Sequence, residues 1–483
     1  MSFTFNKYFS KNELRLVLIC VFIRLFLFSL YDFKVSECPD SWAFNHFSEK
    51  LSEHGKLYFQ KFFEEQNNNV TQIDANQILP KKENSKKGSF IGERSPGYPL
   101  FIFIASGKSG AVFLQFLLGI ITALLWYRTL LKLNFSTKFS FFTVVLLQCF
   151  LSIFIYETFI LVEALVLFFI SVIASIISDE YLTTEKSIKF EIFFSFFLGY
   201  LVLIKPFYVV IPCILFALRF VNNPSIKSVL NRKLIILIAP LLLFFGWSLV
   251  VEKFTGYYTS TTYFGINKIQ NCVYFAEKGP KEYDWIIEPY VKHREIAIKE
   301  SKDVSMSIWA AINAGEFKHK NMEFADLSNE FGKFADATIK ANFQDYLKQV
   351  ITKSWFDFWI TFDIKEFIKY ENQNTDFWIT KISTFQNLLF TILKFLFLPI
   401  SLFYIYMLLV NKMFNFQTIF SALIWCISIL QALTTYGTNG KYSFPFEFLI
   451  VFILLLFVRD YILNSNLIGN KRNNSFEKKY YEH

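Results

Sequence analysis

Five ionisable residues, Asp40, Arg94, Glu163, Lys205 and Lys441, stand where polar sequence meets long apolar runs. An acid in the position of Asp40 could take a proton from an acceptor hydroxyl or hold a metal. Preceding Ser41-Trp42-Ala43, it would equally serve as the N-cap of a helix. Glu157 and Glu163 fall at a turn between two apolar runs, where an isolated acid is costly unless it is paired or wet. Each therefore belongs to a site or partners an interfacial Lys or Arg. Lys205 precedes Pro206 and Lys441 follows Gly440. A cation at such a border could neutralise a phosphate, or simply snorkel to the membrane surface. Arg94 opens Arg94-Ser95-Pro96-Gly97-Tyr98-Pro99, whose prolines fix two φ angles while its glycine frees a third. That turn would hold the guanidinium near the bilayer.

What must position these groups is a set of membrane helices. Of 483 residues, 53% are hydrophobic, 63 are Phe and 18% are charged, with the charges clustered between apolar runs. This composition marks a polytopic membrane protein. Much of the net charge of +9 lies in short segments beside the runs, where it sets orientation, so no nucleic-acid partner is expected. The first run, Leu14 to Tyr31, reads as an uncleaved helix starting in the cytoplasm, with Arg24 inside it as a packing or orientation device. Later runs begin at Ala111, Phe139, Phe159, Phe190, Phe207, Leu234, Leu388, Phe416 and Phe444. The prediction is an all-α polytopic membrane protein with about ten transmembrane helices, some shorter than the roughly 20 residues of a full span.

Basic residues orient the chain. Arg128, Lys132 and Lys138 fall in one inside turn, Arg219, Lys227, Arg232 and Lys233 in another, Lys412 in a third, and Lys471, Arg472, Lys478 and Lys479 in the tail. Both termini are then cytoplasmic, and the five residues above come to the outer face from different connections. Four regions follow: an N-terminal transmembrane core, 1–252, with an external loop at 32–97; an external membrane-resting region, 253–386; C-terminal transmembrane helices, 387–464; and a cytoplasmic basic tail, 465–483.

In the first loop, Trp42, Ala43, Phe44, Phe47 and Leu51 share one helical face, with Asn45, Glu49, Lys50 and Glu53 on others, predicting an amphipathic helix along the outer membrane surface. Glu64 to Ser89 reads as a mobile loop, and Asn69-Val70-Thr71 within it, a three-residue glycosylation match, is assigned no role. The later region is mostly helical, from the spacing of Phe334, Ile339, Phe343, Tyr346, Leu347 and Val350. Trp355, Phe356, Phe358 and Trp359 suit a membrane interface, and Tyr257 to Tyr263 has a local strand preference.

Other chemistries find little support. The six Cys form no CxxC pair, and only Cys38 and Cys272 are placed to meet outside. The five His show no metal-ligand spacing, and no GxSxG elbow is present. Gly107-Lys108-Ser109 lacks the earlier glycine of a phosphate loop and reads as a turn.

In order and setting these pieces resemble the GT-C superfamily of polytopic glycosyltransferases, especially the bacterial branch related to protein O-mannosyltransferases and aminoarabinose transferases. Asp40-Ser41 with Phe44 resembles the first-loop acid followed by an aromatic, and Arg94 to Pro99 the Arg-x-Pro-Gly-Tyr-Pro return. Ile160 to Leu165 resembles the acidic turn before the fourth span. Leu203-Ile204-Lys205-Pro206 is similar to a Leu-x-Arg-Pro element, and Gly440 to Pro445 to the late Arg-Tyr-x-x-Pro element. The chain departs in having lysine for arginine at 205 and 441, which keeps charge without the bidentate fork, and phenylalanine at 44 where tyrosine is common.

The resemblance implies transfer of a sugar from a polyprenyl-phosphate donor at the outer face of the cytoplasmic (inner) membrane. Asp40 and Glu163 would be catalytic, and Arg94, Lys205 and Lys441 would bind the donor phosphate, with Tyr98, Tyr442 and Glu157 in support. No cofactor is specified, and a divalent metal stays open. The acceptor, whether lipid, glycan or protein, is not specified. The alternatives are a non-enzymatic lipid or glycan transporter, whose spans should carry deep ionisable residues and repeats, and a surface-polysaccharide polymerase or ligase.

Overall fold

The computed structural model describes residues 10–67, 92–222 and 234–463, with side chains omitted over 54–67. The glycosylation match at 69–71, most of the loop from 64 to 89, the basic residues at 227, 232 and 233, and the tail from 465 lie outside the described residues. Within them the chain is all helical, and only one isolated parallel bridge, Ser36 with Phe159, has strand pairing.

The helices that build the bundle are α1 (Lys11–Leu30), α2 (Pro39–Asn67), α3 (Gly97–Ile104), α4 (Lys108–Lys132), α5 (Thr137–Gln148), α6 (Leu151–Thr158), α7 (Glu163–Ile177), α8 (Ile188–Ile204), α9 (Val210–Asn222) and α10 (Ile235–Thr255). A group of short helices follows, including α11 (Phe264–Gln270), α12 (Asp284–Lys299) and α13 (Phe324–Ala341), before α14 (Gln373–Val410), α15 (Phe416–Thr434) and α16 (Asn439–Phe457) return to the bundle. Among the described residues four helices, α4, α10, α14 and α15, are long and apolar enough to cross a membrane, and the pair α5 and α6, bent by 54°, makes a fifth if it counts as one span. That is fewer than the runs suggest, because α7 and α9 are short and α1 carries Lys11, Glu13, Arg15 and Arg24. Outward-facing Leu18, Phe22, Phe142, Leu242 and Leu409 are exposed, as a lipid-facing surface requires.

Local chemistry sets the breaks between helices. Ser10 and Glu13 form a capping box that starts α1. Pro206 forces the preceding residue out of helical geometry, so α8 ends at Lys205 with φ −150° and ψ 101°. The same proline then opens a single 3₁₀ turn, Pro206–Val209, leading into α9. α14 begins at Gln373, well before the apolar run at Leu388 that marks it in sequence.

Three buried ion pairs bind the bundle internally. Arg24 on α1 reaches both carboxylate oxygens of Glu157 on α6 at 2.6 and 2.8 Å and donates to Gln148 at 3.0 Å. Arg219 on α9 pairs with Glu191 on α8 at 3.0 Å and shares it with Tyr181. Lys394 on α14 pairs with Glu447 on α16 at 2.6 Å. Each charge meets its partner between two helices, as an ionisable group inside a bilayer requires.

The short helices have a core of their own, built on Ile266, Ile269, Ile286, Tyr290, Phe331 and Phe334 and closed by Ala432 at the end of α15. Phe343 is exposed because the helical spacing breaks at Asn342, between two helices. Two expectations change here. Tyr257 to Tyr263 is irregular, held by Thr262 donating its backbone N–H to the Gly92 carbonyl at 2.7 Å. Of the aromatic cluster, Phe358 and Trp359 are fully buried against the bundle, with only Phe356 well exposed. Trp359 packs on Phe397 and Trp425, which gives the cluster a packing role inside the fold.

Candidate functional site

Two backbone junctions assemble the site. The first ties the loop after α1 to the turn between α6 and α7: Ser36 donates its N–H to the Thr158 carbonyl at 2.9 Å, and Ile160 returns an N–H to Ser36 at 3.1 Å. The Ser41 hydroxyl adds a bond to the Ile160 carbonyl at 3.0 Å. This brings the first turn of α2, with Asp40, beside the first turn of α7, with Glu163. The second junction joins the Arg94 to Pro99 return to the end of α8. The Ser95 hydroxyl donates to the Ile204 carbonyl at 2.8 Å, and the Tyr200 hydroxyl to that of Gly97 at 2.9 Å. A Cβ at Gly97 would lie 2.5 Å from the backbone of Leu203 and Ile204, so only glycine lets the two segments meet this closely.

The result is a cavity of about 360 Å³ lined by Asp40, Arg94, Glu163, Lys205, Lys441 and Tyr442, with an apolar wall that includes Phe207, Val210, Phe244 and Leu430. Arg94 donates to Asp40 at 2.7 Å, and Lys441 reaches the other Asp40 oxygen at 3.2 Å. The Lys441 ammonium also lies 3.8 Å from Glu163, and Lys205 lies 3.6 Å from the same Glu163 oxygen. The two carboxylates thus share one cation. Below Lys205, at 3.6 Å from its ammonium, is the ring of Tyr442. The Arg94 guanidinium sits over Tyr263 at 4.2 Å and Phe44 at 5.3 Å. These rings fix the cations by attraction to their faces.

Asp40 belongs to the first turn of α2, and its carboxylate meets Arg94 and Lys441 where an N-cap would meet helix amides. The capping expectation is therefore corrected; it is Ser41 whose hydroxyl accepts a backbone N–H, that of Cys38, at 3.0 Å. The Asp40 side chain remains 46% exposed to the cavity although the group lies deep in the protein. Its burial acts to raise the carboxyl, but Lys441 and Arg94 outweigh this and hold it below the ordinary carboxylate range. Burial pushes Lys205 down to about 8, against the pull of Glu163. Two polar atoms at the site, Glu163 Oε2 and Arg94 Nε, are buried without a hydrogen-bond partner. Such atoms point to a ligand or water that would complete them.

The other two supporting residues lie off the cavity. Tyr98 is fully buried, donates to Gln115 at 2.7 Å and props the Phe44 ring edge-on. Glu157 is committed to Arg24. On α2, Phe44 and Phe47 are buried with Ala43 as expected, but Asn45 is buried too, and Trp42 is 63% exposed and stacks on His46. The helix packs into the bundle against α3, which buries Ala43, Phe44, Asn45 and Phe47. Sequence reasoning missed Glu93, Tyr263 and Gln431 in the lining; the local signal for Tyr263 was the aromatic and hydroxyl-rich character of 257–263.

Among the described residues no group of three His, Cys, Asp or Glu side chains is arranged to hold a metal. Asp40 and Glu163 have the Lys441 ammonium between them, and this donor set does not fit a divalent cation. All six cysteines are free thiols; Cys38 is partly buried and Cys272 fully so. Comparisons with protein-family models, with curated proteins and with solved structures find no match to this chain.

Proposed function

We propose that this protein is an integral membrane glycosyltransferase that moves a sugar from a polyprenyl-phosphate donor to an acceptor at the outer face of the cytoplasmic membrane. The observation that carries the reading is one cavity that combines three carboxylates (Asp40, Glu93 and Glu163), three cations and an apolar wall. The cations suit a phosphate. The wall of Phe207, Val210, Phe244 and Leu430 suits the prenyl chain attached to it. A topology of about ten spans with cytoplasmic termini accounts for the remaining shorter helices. It also puts Arg128, Lys132, Arg219 and Arg459, which gather at the end of the bundle away from the cavity, on the inside.

The reaction is a single displacement with inversion. The acceptor oxygen attacks the anomeric carbon, the bond from that carbon to the phosphate oxygen breaks, and its electron pair leaves with polyprenyl phosphate. Asp40 takes the acceptor proton. Arg94, Lys205 and Lys441 stabilise the departing phosphate, and Glu163 holds Lys205 and Lys441 in place while its free oxygen orients the acceptor. A transport function would call on ionisable groups along a passage; the pairs Arg24–Glu157, Arg219–Glu191 and Lys394–Glu447 are closed between helices and none lines the cavity.

Asp40→Asn keeps the size of the side chain and removes the base. Purified variant supplied with a pool of labelled polyprenyl-phosphate sugars should transfer about 10²-fold more slowly, or worse. Wild-type turnover by this variant with a donor that the parent uses would end the reading.

A further inference from the structure

A second depression, about 410 Å³, lies against the charged cavity and shares with it the walls formed by Phe244, Ser260, Thr261 and Phe264. It is built by the middle of α10, the irregular segment 257–262, α11 and α13. Its character differs from that of the cavity. Its cations are engaged: Lys268 pairs with Asp336 in the lining, and Lys333 with neighbouring Glu330 at 2.6 Å. What remains for a ligand is neutral. The Asn329 amide and the Tyr258 and Ser260 hydroxyls make no hydrogen bond to another described residue, and Tyr258 and Phe264 are 52% and 51% exposed.

An aromatic face beside unengaged hydroxyl and amide groups matches a molecule with apolar C–H faces and many hydroxyls. A phosphate or carboxylate would find no free cation there. From this we infer that the groove is the acceptor subsite and that the acceptor is a neutral glycan, lying on Phe264 and Tyr258, hydrogen-bonded to Asn329, with its reactive hydroxyl directed through the shared wall toward Asp40. The inference rests on the transferase reading, since it names the second substrate of that same site.

The test uses the full-length protein in detergent and saturation-transfer NMR with neutral di- and trisaccharides of glucose, galactose, mannose and N-acetylhexosamines, and with glycerol 3-phosphate as the charged probe. At least one saccharide should bind. Phe264→Ala and Asn329→Ala should each weaken that binding fivefold or more, while Lys302→Gln, at an exposed ion pair outside both cavities, leaves it unchanged. Both groove positions are open to solvent or only partly buried, and a thermal melt confirms that each variant is folded. Binding of no saccharide, equal binding by the groove variants, or binding of glycerol 3-phosphate alone would overturn the assignment. Transfer from labelled donor separates the two ideas. Saccharide binding without any donor use would retire the transferase reading and leave the groove. Transfer to a lipid or protein acceptor that is unaffected by the groove variants would do the reverse.

Discussion

Lys205 offers the sharpest test of how the cavity handles charge. Burial pushes its ammonium down to about 8, opposed by Glu163 on α7, while Lys441 on α16 adds to the depression and Asp40 on α2 resists it. A lysine shifted down in the folded protein is charged below that value and neutral above it. With a value of about 8, roughly 90% of the unliganded protein carries the Lys205 charge at pH 7 and roughly 10% at pH 9. If the charge is needed to engage the donor phosphate, kcat/KM for limiting donor should fall about tenfold across that interval, since this parameter reports ionisations of the free enzyme. Lys205→Arg keeps the cation at every pH in the range and should abolish the decline, whereas Lys205→Gln should give a low, flat profile. The assay is initial-rate transfer from a labelled polyprenyl-phosphate sugar by purified protein, with unfolding followed at each pH. An unchanged alkaline decline in Lys205→Arg would show that another group titrates, and the phosphate role assigned to Lys205 would lose its support.

Two further predictions separate structure from chemistry. Glu157→Gln leaves Arg24 charged and unpaired between α1 and α6, which should destabilise the protein by about 3–5 kcal/mol; Arg24→Leu with Glu157→Leu should recover most of that in thermal melts, and transfer per folded molecule should stay near the parent's, because neither residue lines the cavity. Gly97→Ala drives a methyl into the backbone of Leu203 and Ile204, costing about 1–3 kcal/mol and weakening donor use by separating Arg94 from Lys205, whereas Gly246→Ala, with open space around it, should do neither.

The helices of the bundle were legible because each apolar run is a local signal, as were the breaks at Ser106–Gly107 and Lys205-Pro206. Asp40, Arg94, Glu163, Lys205 and Lys441 were visible in the same way, since each lies at a border between polar and apolar sequence, whereas Glu93, which also lines the cavity, was not singled out. Their partners were not. Asp40 meets Lys441 across almost the whole chain, and Arg24 meets Glu157 on another helix, contacts that leave no periodic trace in either segment. The α2 face was misread for a related reason: Asn45 is polar but buried, and Trp42 is aromatic but exposed. Their hydropathy reports transfer from water, whereas their positions are set by packing on α3 and by stacking on His46.

The resting cavity poses a chemical problem that the proposed reaction must solve. A carboxylate held below its ordinary range by two cations is a poor base, because efficient proton transfer wants a pKa near the working pH. Arg94 and Lys441, however, are also groups assigned to the donor phosphate. As phosphate oxygens arrive, they compete with Asp40 for the same hydrogen-bond donors, and each bond transferred to the phosphate returns basicity to Asp40. Glu163 is affected differently, since Lys205 and Lys441 both lie on one of its oxygens and the other is unpartnered. It can keep both lysines near the phosphate while that free oxygen receives an acceptor hydroxyl. Stabilisation of the leaving group and activation of the base would then be one rearrangement of shared cations, so that Asp40 becomes competent to accept a proton only when a donor is in place.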